Sequence, residues 1–295
     1  MKRNIHLTTF ACIVAILFSG NSFAQGEDDS PVMPPFETLT LIDNQTTVSL
    51  YQGSYALEIQ HRFSKIKEIA DLFGIYGSAN TRLGFSYGVT DKIMIGVGTT
   101  RGYMLQDLEW KYSILTQTES GRIPVSLSYY GNAVLDARDS KYFGTEEEYM
   151  ASDPDRYERV HFPFPFVARM SYLQQLIVSR RFGEKASFQL APTFVWYNAV
   201  PEGYNNANLS LNFGGRLQVM GFHSIVFEYD QPLLMPEEEV YPNIALGVEI
   251  GTSTHSFRVF ASNYNAIIKN RSIAFNGNNP LDGEFQFGFN ISIRF

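Results

Sequence analysis

Beyond its first 24 residues the sequence contains no cysteine at all. Its single cysteine, Cys12, lies inside the apolar run Phe10–Phe18 near the start of the chain. If that run is removed during export, the remaining chain can form no disulfide, no thiolate metal site and no cysteine nucleophile.

The start of the chain has the features of a secretory signal peptide. Lys2 and Arg3 form a basic beginning, the apolar run follows, and Ser22-Phe23-Ala24 supplies small residues on either side of Phe23 just before Gln25. This order is typical of a cleaved export signal, and the apolar run is too short to span a bilayer as a helix. We therefore predict a signal peptide over residues 1–24.

The composition also lacks an excess of basic residues and of apolar residues. The formal charge of −7 becomes −9 when both Lys2 and Arg3 are removed, which argues against a nucleic-acid partner. The hydrophobic share is 44% and the mean hydropathy is −0.13, a value far too low for a helical membrane protein. The aromatic share, by contrast, is high at 15%, and it comes mainly from Phe and Tyr, which favour strands.

Clustered catalytic or metal-binding residues are also missing from the sequence. His223-Ser224 and His255-Ser256 are adjacent pairs, so in a strand their side chains point to opposite faces. A hydrolase site like that of outer-membrane phospholipases needs His and Ser two residues apart on one face. His161 and His223 lack paired ligands at useful spacing. We therefore expect no catalytic residue, no metal and no cofactor, and a surface hydrolase is the least favoured function.

What the sequence does contain is alternation with a period of two. In residues 284–295, EFQFGFNISIRF, every second residue is apolar, and the residues between are polar or small. Side chains alternate between the two faces of a strand, so this pattern predicts a strand with one apolar and one polar face. An exposed apolar face invites aggregation in water, which favours contact with lipid.

The same alternation recurs along the chain in segments of roughly ten residues, which is the length that crosses an outer membrane at a tilt. With residues 284–295, the predicted strands are Ser54–Phe63, Arg82–Val89, Lys92–Val97, Met104–Thr116, Ile123–Val134, Phe166–Arg181, Ala186–Asn198, Ala207–Val219, Phe222–Asp230, Asn243–Gly251 and His255–Tyr264. We predict an all-β fold: a single closed, antiparallel transmembrane β-barrel of about 12 strands over residues 51–295.

The connections between these strands alternate in length. The tight ones are Thr90-Asp91, Ser120-Gly121, Phe182–Lys185, Met220-Gly221 and Thr252–Thr254, and the long ones are Ser64–Ala79, Leu135–Pro165, Ala199–Asn206, Gln231–Pro242 and Asn265–Gly283. Only Gly102-Tyr103 is short where this scheme requires a long loop. The asymmetry predicts short periplasmic turns and long extracellular loops in the outer membrane, and residues 64–73 have the spacing of a short helix. Residues 25–50, which are polar and contain proline, are predicted to be a periplasmic lead-in.

Several stretches together resemble a known family. They are His61-Arg62-Phe63, Arg82-Leu83-Gly84, Tyr87-Gly88-Val89-Thr90-Asp91, Ile95-Gly96-Val97-Gly98, Gln189-Leu190-Ala191-Pro192-Thr193, His255-Ser256-Phe257 with Asn263, and Phe287-Gly288-Phe289-Asn290-Ile291-Ser292. Their succession is similar to that of an uncharacterised family of Bacteroidota outer-membrane β-barrels, domain of unknown function 5777. The resemblance implies a Gram-negative outer-membrane location and this architecture, but no activity and no catalytic residues.

Charged residues in the polar phase are predicted to face the barrel lumen. They are Glu58, Arg62, Arg82, Asp107, Glu109, Lys111, Arg216, Glu228, Glu249, Arg258, Glu284 and Arg294. They suggest a barrel for the passive passage or binding of a small solute or lipophile, through or at the lumen. A channel would leave such charges unpaired along an open path. A structural barrel with a filled lumen would pair them and fold a loop inward, for which Leu135–Pro165 is the candidate. A barrel of about 12 strands is compatible with both hypotheses.

The last residue, Phe295, resembles the aromatic C-terminal signal that the outer-membrane assembly machinery reads. Outer-membrane lipid and this machinery are therefore the expected partners, together with a small solute. We predict that deletion of Phe295 slows barrel assembly, measured as the rate of membrane insertion. An unchanged insertion rate of the shortened chain would contradict this role.

Overall fold

The computed structural model describes residues 29–66, 74–139, 166–252 and 254–295. The predicted signal peptide, most of the helix expected over residues 64–73 and most of the loop Leu135–Pro165 lie outside the described residues.

Twelve strands form one closed antiparallel barrel, as the alternation predicts. They are β1 (Tyr55–Lys65), β2 (Asn80–Gly88), β3 (Ile93–Thr100), β4 (Leu105–Leu115), β5 (Ser126–Asp136), β6 (Met170–Phe182), β7 (Ala186–Tyr197), β8 (Ala207–Met220), β9 (His223–Pro232), β10 (Asn243–Gly251), β11 (His255–Ser262) and β12 (Gln286–Arg294). Each strand pairs with its neighbours in sequence, and β12 closes the barrel against β1, with Ile59 opposite Ile291.

Strand boundaries differ from the prediction where local geometry interrupts the alternation. Residues 166–169 form a 3₁₀ turn, so β6 begins at Met170 rather than at Phe166. Another 3₁₀ turn, Pro280–Asp282, precedes β12, which therefore begins at Gln286. These turns lie in the connections 137–169 and 263–285, so the walls of the barrel are unaffected.

The two ends of the barrel differ in their connections. At the end where β1 begins, called here the turn end, the connections comprise residues 89–92, 116–125, 183–185, 221–222 and 252–254. At the opposite end, called here the loop end, they comprise residues 66–79, 137–169, 198–206, 233–242 and 263–285, and the short connection 101–104. The connection 263–285 contains the only α-helix in the described part of the chain, α1 (Lys269–Phe275).

Most apolar residues of the strands face outward, and the polar residues mainly face inward. Leu246 and Val259 are 59% and 57% exposed, whereas Arg258, beside Val259 in β11, is fully buried. This arrangement excludes two stacked sheets that bury the apolar faces between them. An outward apolar band around a polar interior is the design of a transmembrane barrel. None of the helices in the described ranges combines the length and apolar character needed to cross a bilayer.

The interior of the barrel is occupied by a segment that precedes β1. Every residue from 36 to 50 is buried except Glu37 and Ser49, which are partly buried. We call residues 36–50 the inserted segment. The prediction of a periplasmic lead-in over residues 25–50 therefore requires correction, because this part of it contacts the lumen wall. The physical reason is that its apolar and hydrogen-bonding groups find partners there, as described next.

Candidate functional site

The inserted segment is a hairpin that enters and leaves the barrel at the turn end. The Leu41 amide donates to the Asn44 carbonyl at 2.8 Å, and the Thr46 amide donates to the Leu39 carbonyl at 2.8 Å. Before the hairpin, Pro31 forms a bridge with Thr118 in the β4–β5 connection. After it, residues 51–54 lead into β1 at the same end. The chain thus folds back at Ile42-Asp43-Asn44, which is the tip of the hairpin, deep in the lumen.

One wall carboxylate holds the tip. Glu228 of β9 accepts hydrogen bonds at Oε1 from the backbone amides of Ile42, Asp43 and Asn44, at 2.6, 2.9 and 2.8 Å. Three consecutive amides that point at one oxygen form an anion-binding concavity, and an ionised acceptor makes each bond stronger than a neutral one. Glu228 therefore acts as an anchor for the tip.

Side chains of the tip pair with further charges on the wall. Asp43 forms an ion pair with Arg62 at 2.5 Å, with both side chains fully buried. The Asn44 side-chain amide donates to Asp230 at 2.7 Å. On the other side, the Asn290 amide donates to the Ile42 carbonyl at 2.6 Å. A buried charge is costly unless it is paired, so these contacts explain how both polar surfaces are buried together.

Nearer the turn end, the two arms of the hairpin are also hydrogen-bonded to the wall. Lys111 of β4 donates to the Val48 carbonyl at 2.9 Å and to the Leu39 carbonyl at 3.3 Å, and so bridges both arms. The hydroxyls of Thr47 and Ser179 lie 2.5 Å apart. The bonds from Lys111 satisfy backbone carbonyls that would otherwise be buried without partners.

An apolar cluster stabilises the same hairpin. It contains Phe36, Leu39, Leu41, Ile42, Val48 and Leu50 of the inserted segment with Ala56, Met94, Val226, Ala245, Phe260 and Tyr264 of the barrel. At Gly214 the wall has no side chain, and a Cβ atom there would come within 2.7 Å of Leu41. The lumen wall is therefore complementary in shape to the inserted segment.

The helix α1 fills the lumen from the loop end. Lys269 at its start lies 2.5 Å from Asp230 and 3.6 Å from Glu228. The Asn270 amide donates to the Ser171 hydroxyl of β6 at 3.1 Å. Glu228 thus contacts both fillers of the lumen. A cavity of about 30 Å³ remains between the tip and α1, which is room for only one or two water molecules.

Eleven of the twelve predicted lumen charges have the inward phase, and one does not. Glu58, Arg62, Arg82, Asp107, Glu109, Lys111, Arg216, Glu228, Glu249, Arg258 and Arg294 lie on inward positions of their strands. Glu284 lies before β12 begins, so it is on the loop-end rim, where it pairs with Lys65 at 2.7 Å. This hydrogen bond from Lys65 holds the pKa of Glu284 below its ordinary value.

Most of these charges are paired. Arg82 contacts Asp107 at 2.6 Å, and Arg216 contacts Glu249 at 2.7 Å. Arg258 lies 3.1 Å from Glu58 and donates to the Leu41 carbonyl at 2.8 Å. The charges are thus arranged as a filled lumen requires, and the filling segment is residues 36–50 with α1. The part of Leu135–Pro165 that would have to fold inward lies outside the described residues.

The sequence prediction did not include Asp43, Asp230 and Lys269, the charged residues that join the tip and α1 to the wall, nor Glu37, which pairs with Arg216. Asp230 continues the inward phase of Glu228 and could have been found from it. The apolar residues around Asp43 were a signal that the segment is buried. Lys269 precedes a helix that folds into the barrel through long-range contacts, and no local pattern indicates that position.

Comparisons with known proteins agree with the barrel. A family model described as "Membrane bound beta barrel domain (DUF5777)" matches residues 36–295, which includes the inserted segment. The NanC porin has a TM-score of 0.50 at 7% identity, over 81% of this chain and 98% of its own. The KdgM porin in complex with disordered oligogalacturonate has 0.48 at 8% identity, over 81% and 99%. An outer membrane channel from Pseudomonas putida F1 has 0.45 at 11% identity, over 83% and 96%. No curated protein is significantly similar to the chain.

Proposed function

We propose that this chain, which belongs to the family of membrane-bound β-barrel domains (DUF5777), is a gated barrel for the passive passage of a small polar solute. In this proposal the inserted segment is the gate, and the structure corresponds to the closed state. Passage requires the hairpin to withdraw from the lumen. No catalytic step is part of the proposal.

The observation that carries the proposal is the course of the hairpin. Both arms of the inserted segment reach the turn end, so the segment can leave by one mouth without threading and without breaking a strand pair. The wall it would expose carries Arg62, Lys111, Glu228 and Arg258, groups that water can solvate once the segment has gone. A water-filled lumen with charges of both signs is compatible with passage of a polar solute.

The same proposal includes the cellular setting. We infer that residues 1–24 are removed as a signal peptide and that the barrel lies in the outer membrane of a Gram-negative bacterium, with Bacteroidota as the expected source. The turn end would face the periplasm and the loop end the exterior. Recognition by the assembly machinery is proposed to involve Phe295, whose ring stacks on Tyr55 at 4.9 Å.

A reversible lock of the gate tests the proposal. Thr47→Cys and Ser179→Cys place two thiols where two hydroxyls now lie 2.5 Å apart, and Cys12→Ser removes the native cysteine. We expect the parent protein in planar bilayers to show intermittent conductance steps. The oxidised double variant should show none, and addition of dithiothreitol should restore the steps, because only the bond that holds the hairpin in the lumen is broken.

Each single-cysteine variant serves as a control, since it carries the same substitution but cannot form the bond. These variants should conduct like the parent with or without reductant. Conductance of the oxidised, fully crosslinked protein equal to that of the reduced protein would exclude the inserted segment as the gate.

A second candidate, a structural barrel with a permanently filled lumen, is favoured by the pairing of the lumen charges. Arg82–Asp107 and Arg216–Glu249 are pairs within the wall and remain when the segment moves, so they do not distinguish the two functions. The ion pair between Arg62 and Asp43 does distinguish them, because withdrawal of the inserted segment from the lumen breaks it. Absence of steps in the reduced protein over long recordings would favour the structural barrel.

A further inference from the structure

The loop end contains a second feature, a cavity of about 450 Å³ that lies on the far side of α1 from the inserted segment. Its walls come from the start of β2, the β3–β4 connection and the connection that carries α1. This volume is in the range of sites that enclose small molecules. We call it the loop-end cavity.

The described lining of the loop-end cavity is basic and contains no acidic residue. Arg101 and Arg271 line it, together with Asn80, Asn265 and Asn278. Elsewhere in the described barrel, arginines such as Arg62 and Arg82 have carboxylate partners within 2.6 Å. Neither Arg101 nor Arg271 has an ion pair with any described residue. The cavity therefore carries positive charge that the described protein does not neutralise.

Arg271 is held in a fixed position in this lining. Its guanidinium lies over the ring of Tyr103 at 3.4 Å from the centroid and 5.0 Å from that of Phe275. Stacking fixes the plane of the guanidinium and leaves its N–H edges free to donate, and no described residue accepts a hydrogen bond from them. Tyr103 has φ of 60°, a left-handed conformation that is uncommon for a residue other than glycine. Such local strain often marks binding sites.

An independent observation concerns Thr100. It lines the loop-end cavity and is 2% exposed, yet its hydroxyl has no hydrogen-bond partner in the described part of the chain. A buried hydroxyl without a partner costs free energy, so such groups are rare and call for an explanation, of which a bound ligand is one. The hydroxyl can both donate and accept, and it is suited to an alcohol group.

From these residues we infer that the loop-end cavity binds a small organic anion that carries hydroxyl groups. Arg271, with Arg101, would bind the carboxylate, for which the guanidinium has matching geometry. Thr100 and the Asn278 carboxamide would bind the hydroxyls. The inference goes beyond the proposed function, because binding at this site does not require the inserted segment to move.

Gluconate and sorbitol are the matched probes for this site. They have the same hydroxylated chain and differ at one end, where gluconate has a carboxylate and sorbitol an alcohol. Isothermal titration calorimetry of the purified, detergent-solubilised protein should show gluconate binding that is at least tenfold tighter than sorbitol binding. A charge-assisted hydrogen bond contributes about 1.5–3 kcal/mol, or about 10- to 100-fold in Kd.

Two variants assign the binding to the loop-end cavity. Arg271→Gln should raise the Kd for gluconate about 10- to 100-fold and leave the weak sorbitol binding unchanged. Thr100→Val, which replaces the hydroxyl by a methyl of similar shape, should weaken both probes by about fivefold. Arg122→Gln is the control, because Arg122 is an exposed arginine in the β4–β5 connection at the opposite end.

The results of these binding experiments do not depend on whether the inserted segment is a gate. Binding of gluconate by the locked Thr47→Cys, Ser179→Cys protein with the parent Kd supports the site whether or not the barrel conducts. Equal affinity for gluconate and sorbitol, or a parent-like Kd in the folded Arg271→Gln protein, would overturn the inference. Retention of the heat-modifiable mobility of a folded barrel on electrophoresis shows that the variants are folded.

Discussion

Replacement of residues 36–50 by a Gly/Ser linker of equal length is expected to convert an intermittently conducting barrel into a permanently open one. The linker keeps the connection to β1 but removes the apolar side chains of the hairpin and the carboxylate of Asp43 that pairs with Arg62. Gly/Ser chains behave as flexible coils and have little reason to stay in the lumen. The twelve strand pairs do not include residues 36–50, so the wall should still close.

Liposome swelling with small sugars measures this change, and planar bilayers measure its conductance. The helix α1 still narrows the loop end, so the open variant should admit small solutes and exclude large ones. The control replaces residues 29–35, which lie at the turn end outside the lumen, by a Gly/Ser linker of the same length. That control should behave like the parent. A folded barrel that lacks residues 36–50 and still neither swells liposomes nor conducts would rule out the inserted segment as the barrier.

Substitution of the anchor of the tip should have the second-largest effect. Glu228→Ala leaves the amides of Ile42, Asp43 and Asn44 without their shared acceptor and leaves Lys269 with one carboxylate, Asp230. Loss of one partner from a buried, charged network costs about 3–5 kcal/mol. If that cost falls on the closed state, the ratio of open to closed time rises by roughly 100- to 4000-fold.

Single-channel open times measure that ratio, and a graded substitution sharpens the test. Glu228→Gln keeps an acceptor oxygen but removes the charge. The ratio of open to closed time should therefore rise less in this variant, by about tenfold. Glu109→Gln is the matched control. Glu109 is equally buried but bonds mainly within the wall, where it accepts from Ser86 at 3.0 Å and from Tyr130 at 2.9 Å. If the ratio of open to closed time rose as much in Glu109→Gln as in Glu228→Gln, this result would contradict an anchor role specific to Glu228.

The barrel itself could be predicted from the sequence because its signals are local. In β8 and β10 the alternation of outward and inward residues is set by neighbours two positions apart, and the observed strands Ala207–Met220 and Asn243–Gly251 nearly coincide with the predicted ones. Closure was expected because the alternation continues through the last strand. Every strand up to β12 has an apolar outward face. The alternation ends at Phe295, which pairs with Tyr55 at the start of β1.

The contents of the lumen could not be predicted in the same way, because they depend on contacts between distant residues. Glu228 and Ile42 are far apart in sequence, and nothing near either residue indicates the other. A weaker signal was present in the wall. Met94, Val226 and Phe260 are apolar residues at inward positions, which a purely water-filled lumen does not need. They mark the place where the inserted segment packs.

The structure describes two fillers of the lumen that the sequence did not suggest, whereas most of the suggested loop plug lies outside the described residues. The sequence Leu135–Pro165 ends in an aromatic and proline-rich stretch that suggested a loop folded inward. In the described part of the lumen the space is taken by residues 36–50 and by α1, which is anchored by Lys269 between Asp230 and Glu228. The polar composition of residues 25–50 was interpreted as solvent exposure, whereas here polar groups are buried because the wall that receives them is itself polar.

Disulfide formation in intact outer membranes tests the position of the inserted segment most directly. With Thr47→Cys and Ser179→Cys in the Cys12→Ser background, we expect rapid and nearly complete crosslinking on mild oxidation, detected by a shift on non-reducing electrophoresis. Thr47→Cys combined with Thr193→Cys should not crosslink, because Thr193 lies about 13 Å along β7 from the residue that pairs with Ser179. Equal crosslinking in both pairs, or none in either, would contradict a hairpin seated in the lumen.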